Sequence, residues 1–152
     1  MEVEIILDNE YATLYYYPEH KIVYHKFHKF IYGEHFREVL QVGIELFEKH
    51  DCTKWLSDDR KNPVLNQEDA DWGEANWTAK VLDAGWKYWA LLMPQEMLGQ
   101  RSMERSVAGF VDRGLEIQAF TDPDEALDWL ERIFFMRRVG GVDVVELSQK
   151  PG

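Results

Sequence analysis

The chain has 152 residues, 45% of them hydrophobic and 30% charged, which matches one average domain able to bury a core without metal or disulfide support. Its formal charge of −11, from 17 basic and 28 acidic residues, opposes the field that nucleic acid or an anionic membrane surface requires. A single cysteine, Cys52, excludes an internal disulfide; with no leader-like apolar start and no span apolar enough to cross a bilayer, a reducing cytoplasmic setting is expected.

"VEIILDN" and "YATLYYYPE" read as extended segments, and "HKIVYHKFHKF" follows Pro18-Glu19-His20. Their β-branched and aromatic content predicts an antiparallel pair turning at that tripeptide, with residues 2 to 7 either a separate strand or the lead-in. From Gly33 the period changes. Phe36, Val39, Leu40, Gly43, Ile44 and Phe47 recur at three- and four-residue intervals, which predicts a helix over 34 to 50 with Lys49 and His50 complementing its C-terminus.

"TKWL" is a short strand that stops at Ser57-Asp58-Asp59. A single helix is expected over 67 to 84, capped by Asn66, acidic in its first turn, closed by Gly85, with Ala70, Trp77, Val81 and Ala84 inward. "WKYWALLM" is a strand ending at Pro94. "GQRSMERSVAGFVDRG" carries Met103, Val107, Phe110 and Val111 at helical spacing, and "LEIQAF" is a further strand. The last predicted helix opens with Asp122 as cap, Pro123 at its first position and Glu125 completing a capping box. Ala126, Leu127, Leu130, Ile133 and Phe134 form its buried face, Arg137 and Arg138 finish it, and Gly140-Gly141 ends it.

The predicted product is one α/β domain over residues 1 to 139, with a mixed sheet: an N-terminal antiparallel hairpin, then alternating helices and parallel strands. Residues 140 to 152 form a tail, in which "VDVVEL" can pair as a short strand before a mobile end.

No strand-helix junction carries the glycine-rich turn of a P-loop or dinucleotide fold. His25 and His28 fall on opposite faces of a strand, and no HExxH or cysteine pair accompanies them, so neither metal nor cofactor is expected. Polar groups do gather after the carboxyl ends of two strands, where α/β folds place their sites: Ser57, Asp58, Asp59 and Arg60 after one, Thr121, Asp122 and Asp124 after the other. Serine and aspartate also serve turns and helix entry there. As a catalytic set the candidates are Asp58, Asp59, Arg60 and Asp122, but no histidine lies near Ser57 in sequence to activate it. Six tryptophans and seven tyrosines exceed what one small core readily buries. An aromatic face for a second copy or a protein partner is one outcome, and an aromatic-lined pocket for an apolar ligand is another.

The hairpin, the alternating helices and strands, "WALLMP" before a helix and "IQAFTDPDEALDWL" together resemble the SpoIIAA-like group of the STAS and Sec14-related superfamily. The likeness covers roughly residues 5 to 135, and its closing motif rests on Phe120, Asp122, Glu125, Ala126, Trp129 and Leu130. It implies the STAS-like fold and, by analogy with anti-sigma-factor antagonists, a small cytoplasmic domain that binds a protein partner. In that group a serine at the start of the helix after the central strand is phosphorylated. Ser57 is the nearest residue by position, although the Asp-Ser-Ser-Gly type motif is absent. The reading is a non-catalytic regulatory or interaction domain, with a small acid-dependent enzyme and an apolar-ligand carrier as alternatives.

Overall fold

The computed structural model describes residues 2–139 and 142–147. Six strands, β1 (Glu4–Asp8), β2 (Ala12–Tyr17), β3 (Ile22–Phe27), β4 (Lys54–Asp58), β5 (Tyr88–Leu92) and β6 (Glu116–Phe120), form one mixed sheet in sequential order. The first three pair antiparallel and β3 through β6 pair parallel, so the predicted α/β architecture is present. Residues 4 to 8 are a separate strand at one edge, whose Ile5 is 61% exposed.

The helices are α1 (Gly33–His50), α2 (Gln67–Asn76), α3 (Thr78–Asp83), α4 (Arg101–Val111) and α5 (Pro123–Arg132). Each parallel crossover advances one strand in the same direction, so connections of one hand place α1, α2, α3 and α4 on one face. After the last strand of the sheet, α5 packs on the other face, burying Ala126 and Leu130 against Leu56, Tyr88, Ala90 and Leu92. The pleat divides the side chains of β2 through β6 between these two cores. Val23, Phe27 and Trp55 turn toward α1, whereas Ile22, Tyr24 and Leu56 turn toward α5.

Several boundaries differ from the sequence expectation. The predicted helix over 67 to 84 breaks at Trp77, whose backbone leaves helical geometry at φ −127°, ψ −50°. The indole supplies the reason: its N–H donates to the Leu40 carbonyl at 2.9 Å and its ring meets Trp55 and Trp86, so the residue is drawn into the core. Asn66 does cap α2, accepting from the Asp69 N–H at 2.8 Å, and Gly85 has the positive φ of 118° expected beyond α3.

The last helix is shorter than predicted. It ends at Arg132, and Ile133 to Val139 form β7 (Ile133–Val139), paired antiparallel with β8 (Val142–Leu147). Arg137 and Arg138 therefore lie in a strand and do not close a helix; "IFFM" and "VDVVEL" are both rich in β-branched or aromatic residues and satisfy each other's backbone. The expected tail strand exists, but its partner is β7 and not the main sheet. Gly140-Gly141 and the end of the tail lie outside the described residues. The Asp122 cap accepts from the Asp124 N–H at 3.3 Å.

Candidate functional site

Parallel pairing of β3, β4 and β5 sets His25 beside Ser57 and Ser57 beside Leu91, while Trp55 lies beside Trp89. All five point to the α1 side of the sheet, because residues two apart on a strand share a face. Two indoles then fix two polar side chains. The Trp55 Nε1–H donates to His25 Nδ1 at 2.9 Å, and the Trp89 Nε1–H donates to Ser57 Oγ at 2.9 Å. With Nδ1 used as an acceptor, His25 carries its hydrogen on Nε2 and donates it to Asp59 Oδ1 at 2.7 Å.

Asp59 belongs to the connection after β4, held by its N–H to the Leu92 carbonyl at 3.0 Å and by its own carbonyl to the Asn62 N–H at 3.1 Å. Asn62, itself buried, accepts from the Ile31 N–H at 3.5 Å and ties this connection to the chain entering α1. Above these groups lies a cavity of about 540 Å³ bounded by α1, α2, α4 and the sheet. Trp55, Trp77, Trp86 and Trp89 form its main aromatic wall, in successive ring contacts of 5.3, 5.5 and 5.3 Å. Met103, Val107 and Phe110 of α4 line its far side. None of the residues of α4 is fully buried; of the stripe that the sequence predicts, Met103, Val107 and Phe110 are half-buried on the cavity, and Val111 is 50% exposed and does not line it.

The candidate catalytic residues do not assemble. Ser57 and Asp58 are the last residues of β4, where the sequence placed them after the strand, so consecutive side chains face opposite ways. Asp58 points to the α5 side, is 2% exposed and receives a bidentate pair from Arg60, Nε to Oδ1 at 2.9 Å and Nη2 to Oδ2 at 2.8 Å. That pairing raises the Arg60 guanidinium pKa, with a smaller contribution from Asp122. Burial first, then the Asp58 charge, pushes the Tyr24 phenol well above its ordinary value. Asp122 and Asp124 are exposed at the start of α5. Asp58, Arg60 and Asp122 thus form an electrostatic group on one face, and Asp59 stands alone of the four on the cavity side.

Ser57 is 4% exposed and lies ten residues before α2 begins, not at a helix start. His25 is its strand neighbour but has both ring nitrogens committed, to Trp55 and Asp59, so it is not disposed to take the Ser57 proton. Among the described residues no three His, Cys, Asp or Glu side chains are grouped to hold a metal ion. Cys52 is buried, and burial pushes its thiol up to about 12, far from a reactive thiolate.

In the sequence His25 stands out only as a candidate metal ligand, with His28, and Asn62 not at all. One signal for His25 was present: it is the fourth residue of "IVYHKF" as Ser57 is the fourth of "KWLSD", and parallel pairing in register brings equal positions together. The tryptophans raised two outcomes, a partner face and a pocket. Trp55, Trp77 and Trp86 are buried and Trp72, Trp89 and Trp129 half-buried; among the described residues the large hydrophobic side chains left exposed include the aromatics Phe30 and Tyr32. No protein-family model, curated protein or solved structure matches this chain.

Proposed function

We propose that the protein is a non-catalytic binding module that takes a small, largely apolar ligand into the cavity between the sheet and α4. The observation that carries this reading is the cavity itself, about 540 Å³, within the range of small-molecule sites and lined by four indoles around a few fixed polar groups. A second feature agrees. Phe110 anchors α4 on Trp86 and Trp89, whereas Met103 and Val107 line this space only half-buried, so a bound ligand would cover them further. A regulatory role of the kind the STAS-like resemblance implies is compatible with it, since a ligand seated against α4 would distinguish a bound state of the domain from a free one.

The test uses N-phenyl-1-naphthylamine, a neutral fluorescent probe, titrated against the full chain. Saturable binding with energy transfer from tryptophan is expected. Val107→Trp, which fills the cavity from α4, is expected to weaken binding about tenfold or more while leaving the far-ultraviolet circular dichroism unchanged. Absence of saturable binding by the unmodified protein removes the proposal.

A further inference from the structure

The cavity's donors and acceptors are unequally used. All four indole N–H groups are spent inside the protein: Trp55 on His25, Trp77 on the Leu40 carbonyl, Trp86 on the Tyr88 carbonyl and Trp89 on Ser57. The Thr78 and Ser106 hydroxyls donate to the Gly73 and Ser102 carbonyls. Among the described residues no lysine or arginine lines the cavity. An anionic ligand would meet π systems and few free donors.

The acidic groups are also unequal. Asp69 is paired with Arg37 and accepts from the Gly33 N–H, and Glu74 is paired with Arg113. Asp59 receives only the His25 Nε2–H through Oδ1, and its Oδ2 has no partner among the described residues. That hydrogen bond comes from an imidazole whose other nitrogen already accepts from Trp55, so it orients the carboxylate without cancelling its charge. Arg60, next in sequence, is turned away to Asp58 on the opposite face. One carboxylate without a cationic partner therefore borders a space walled by indole rings, the combination that stabilises a desolvated organic cation.

We infer that the cavity selects an organic cation, an amine or quaternary ammonium carried on an apolar body, over its neutral isostere. The inference rests on the binding role proposed above and names the chemistry of its ligand. The ammonium group sits toward Asp59 and Trp89, and the apolar body extends toward α4.

Benzyltrimethylammonium and neopentylbenzene have nearly the same shape and differ in charge, and phenylmethanesulfonate supplies the anion. Quenching of tryptophan fluorescence reads all three against the full chain. The cation is expected to bind about tenfold or more tighter than the neutral compound, and the sulfonate not to saturate. In Asp59→Asn, which retains an oxygen acceptor for His25, the preference is expected to fall to about twofold while affinity for neopentylbenzene holds. Equal binding of cation and neutral compound, or tight binding of the sulfonate, overturns the cation assignment and leaves the apolar site standing; a preference that survives in Asp59→Asn overturns the placement of the ammonium at Asp59. Failure of both benzyltrimethylammonium and neopentylbenzene to bind overturns the site itself. The comparisons on the unmodified chain decide the matter even if the variant fails to fold.

Discussion

Ser57, Asp58 and Asp59 are adjacent in sequence and have three different surroundings. The pleat sends Ser57 into the cavity wall and Asp58 to the opposite core, and Asp59 lies beyond the strand where His25 can reach it. Read as one polar cluster, they suggest a catalytic set; read with a period of two, they divide. What was not legible was the strand's end, because "SD" reads as a turn until its neighbours β3 and β5 supply the pairing. The same placement bears on phosphorylation. A phosphate on Ser57 would bring its charge into a site 4% exposed, against the indole that now donates to Oγ. Asp58 gives the sharper expectation. Its carboxylate is 2% exposed and depends on Arg60 for both oxygens, so Arg60→Leu leaves a buried charge without its partner. Urea unfolding is expected to show a loss of about 3 kcal/mol, with part of it recovered in the double variant Arg60→Leu/Asp58→Asn. Probe binding in the cavity should be unchanged, because the pair lies across the sheet from it; an equal loss of binding would contradict the two-faced arrangement.

Among the elements, α1 was the most legible, because seven buried residues follow one helical stripe and Asp51 ends it with a positive φ of 55°. One of those seven has no side chain. Gly43 faces the ring of Trp55, and a Cβ there would overlap the six-membered ring, with Cζ3 only 2.8 Å away. Trp55 is also held by the bond to His25 and by ring contacts with Phe47 and Trp77, so it has little freedom to withdraw. Gly43→Ala, which in an isolated helix would gain stability, is expected here to cost about 1–3 kcal/mol in denaturant unfolding and to disturb the His25 hydrogen bond, seen as a shift in its imidazole 15N resonances. An unchanged midpoint would mean that α1 sits farther from β4 than described. Elements were least legible where the helical period continued into residues that tertiary structure claimed. Trp77 keeps the stripe of α2 but leaves the helix for a carbonyl on α1, and Ile133 keeps the stripe of α5 but begins a strand. Neither event has a local breaker such as proline or glycine. Each is decided by a distant partner, which periodicity does not encode.

For the molecule as a whole, the order of elements gave the sheet and the placement of helices, since one-directional parallel crossovers of one hand leave few alternatives. The cavity was not legible, because its volume depends on how far α4 stands from β5 and β6, and an apolar stripe reads the same against a packed core or against a ligand. A buried lysine marks the other side of the sheet. Lys54 opens β4, is 1% exposed and turns toward α5, where burial lowers its pKa from an ordinary 10.5 to about 8 despite the opposing influence of Glu131. Below about pH 8 both folded and unfolded chains carry the charge, and the folded state bears the whole desolvation cost. Between about pH 8 and 10.5 the unfolded chain holds a proton that the folded chain has released, so this residue's contribution to stability rises with pH. Cys52 and Tyr16, both pushed up to about 12 by burial, act in the opposite sense, holding protons in the folded state that the unfolded chain loses from about pH 9 to 10 upward. Comparison with Lys54→Met separates the two effects, because the cysteine and tyrosine are common to both proteins. Near pH 7 the variant is expected to be more stable than the original, by at most about 3 kcal/mol, since it keeps the aliphatic length and discards the charge. The difference should close as the pH rises from 8 to 10.5. A variant less stable at pH 7, or a gap that stays constant over that range, would show that the Lys54 ammonium is compensated in the folded chain and that its burial carries no net cost.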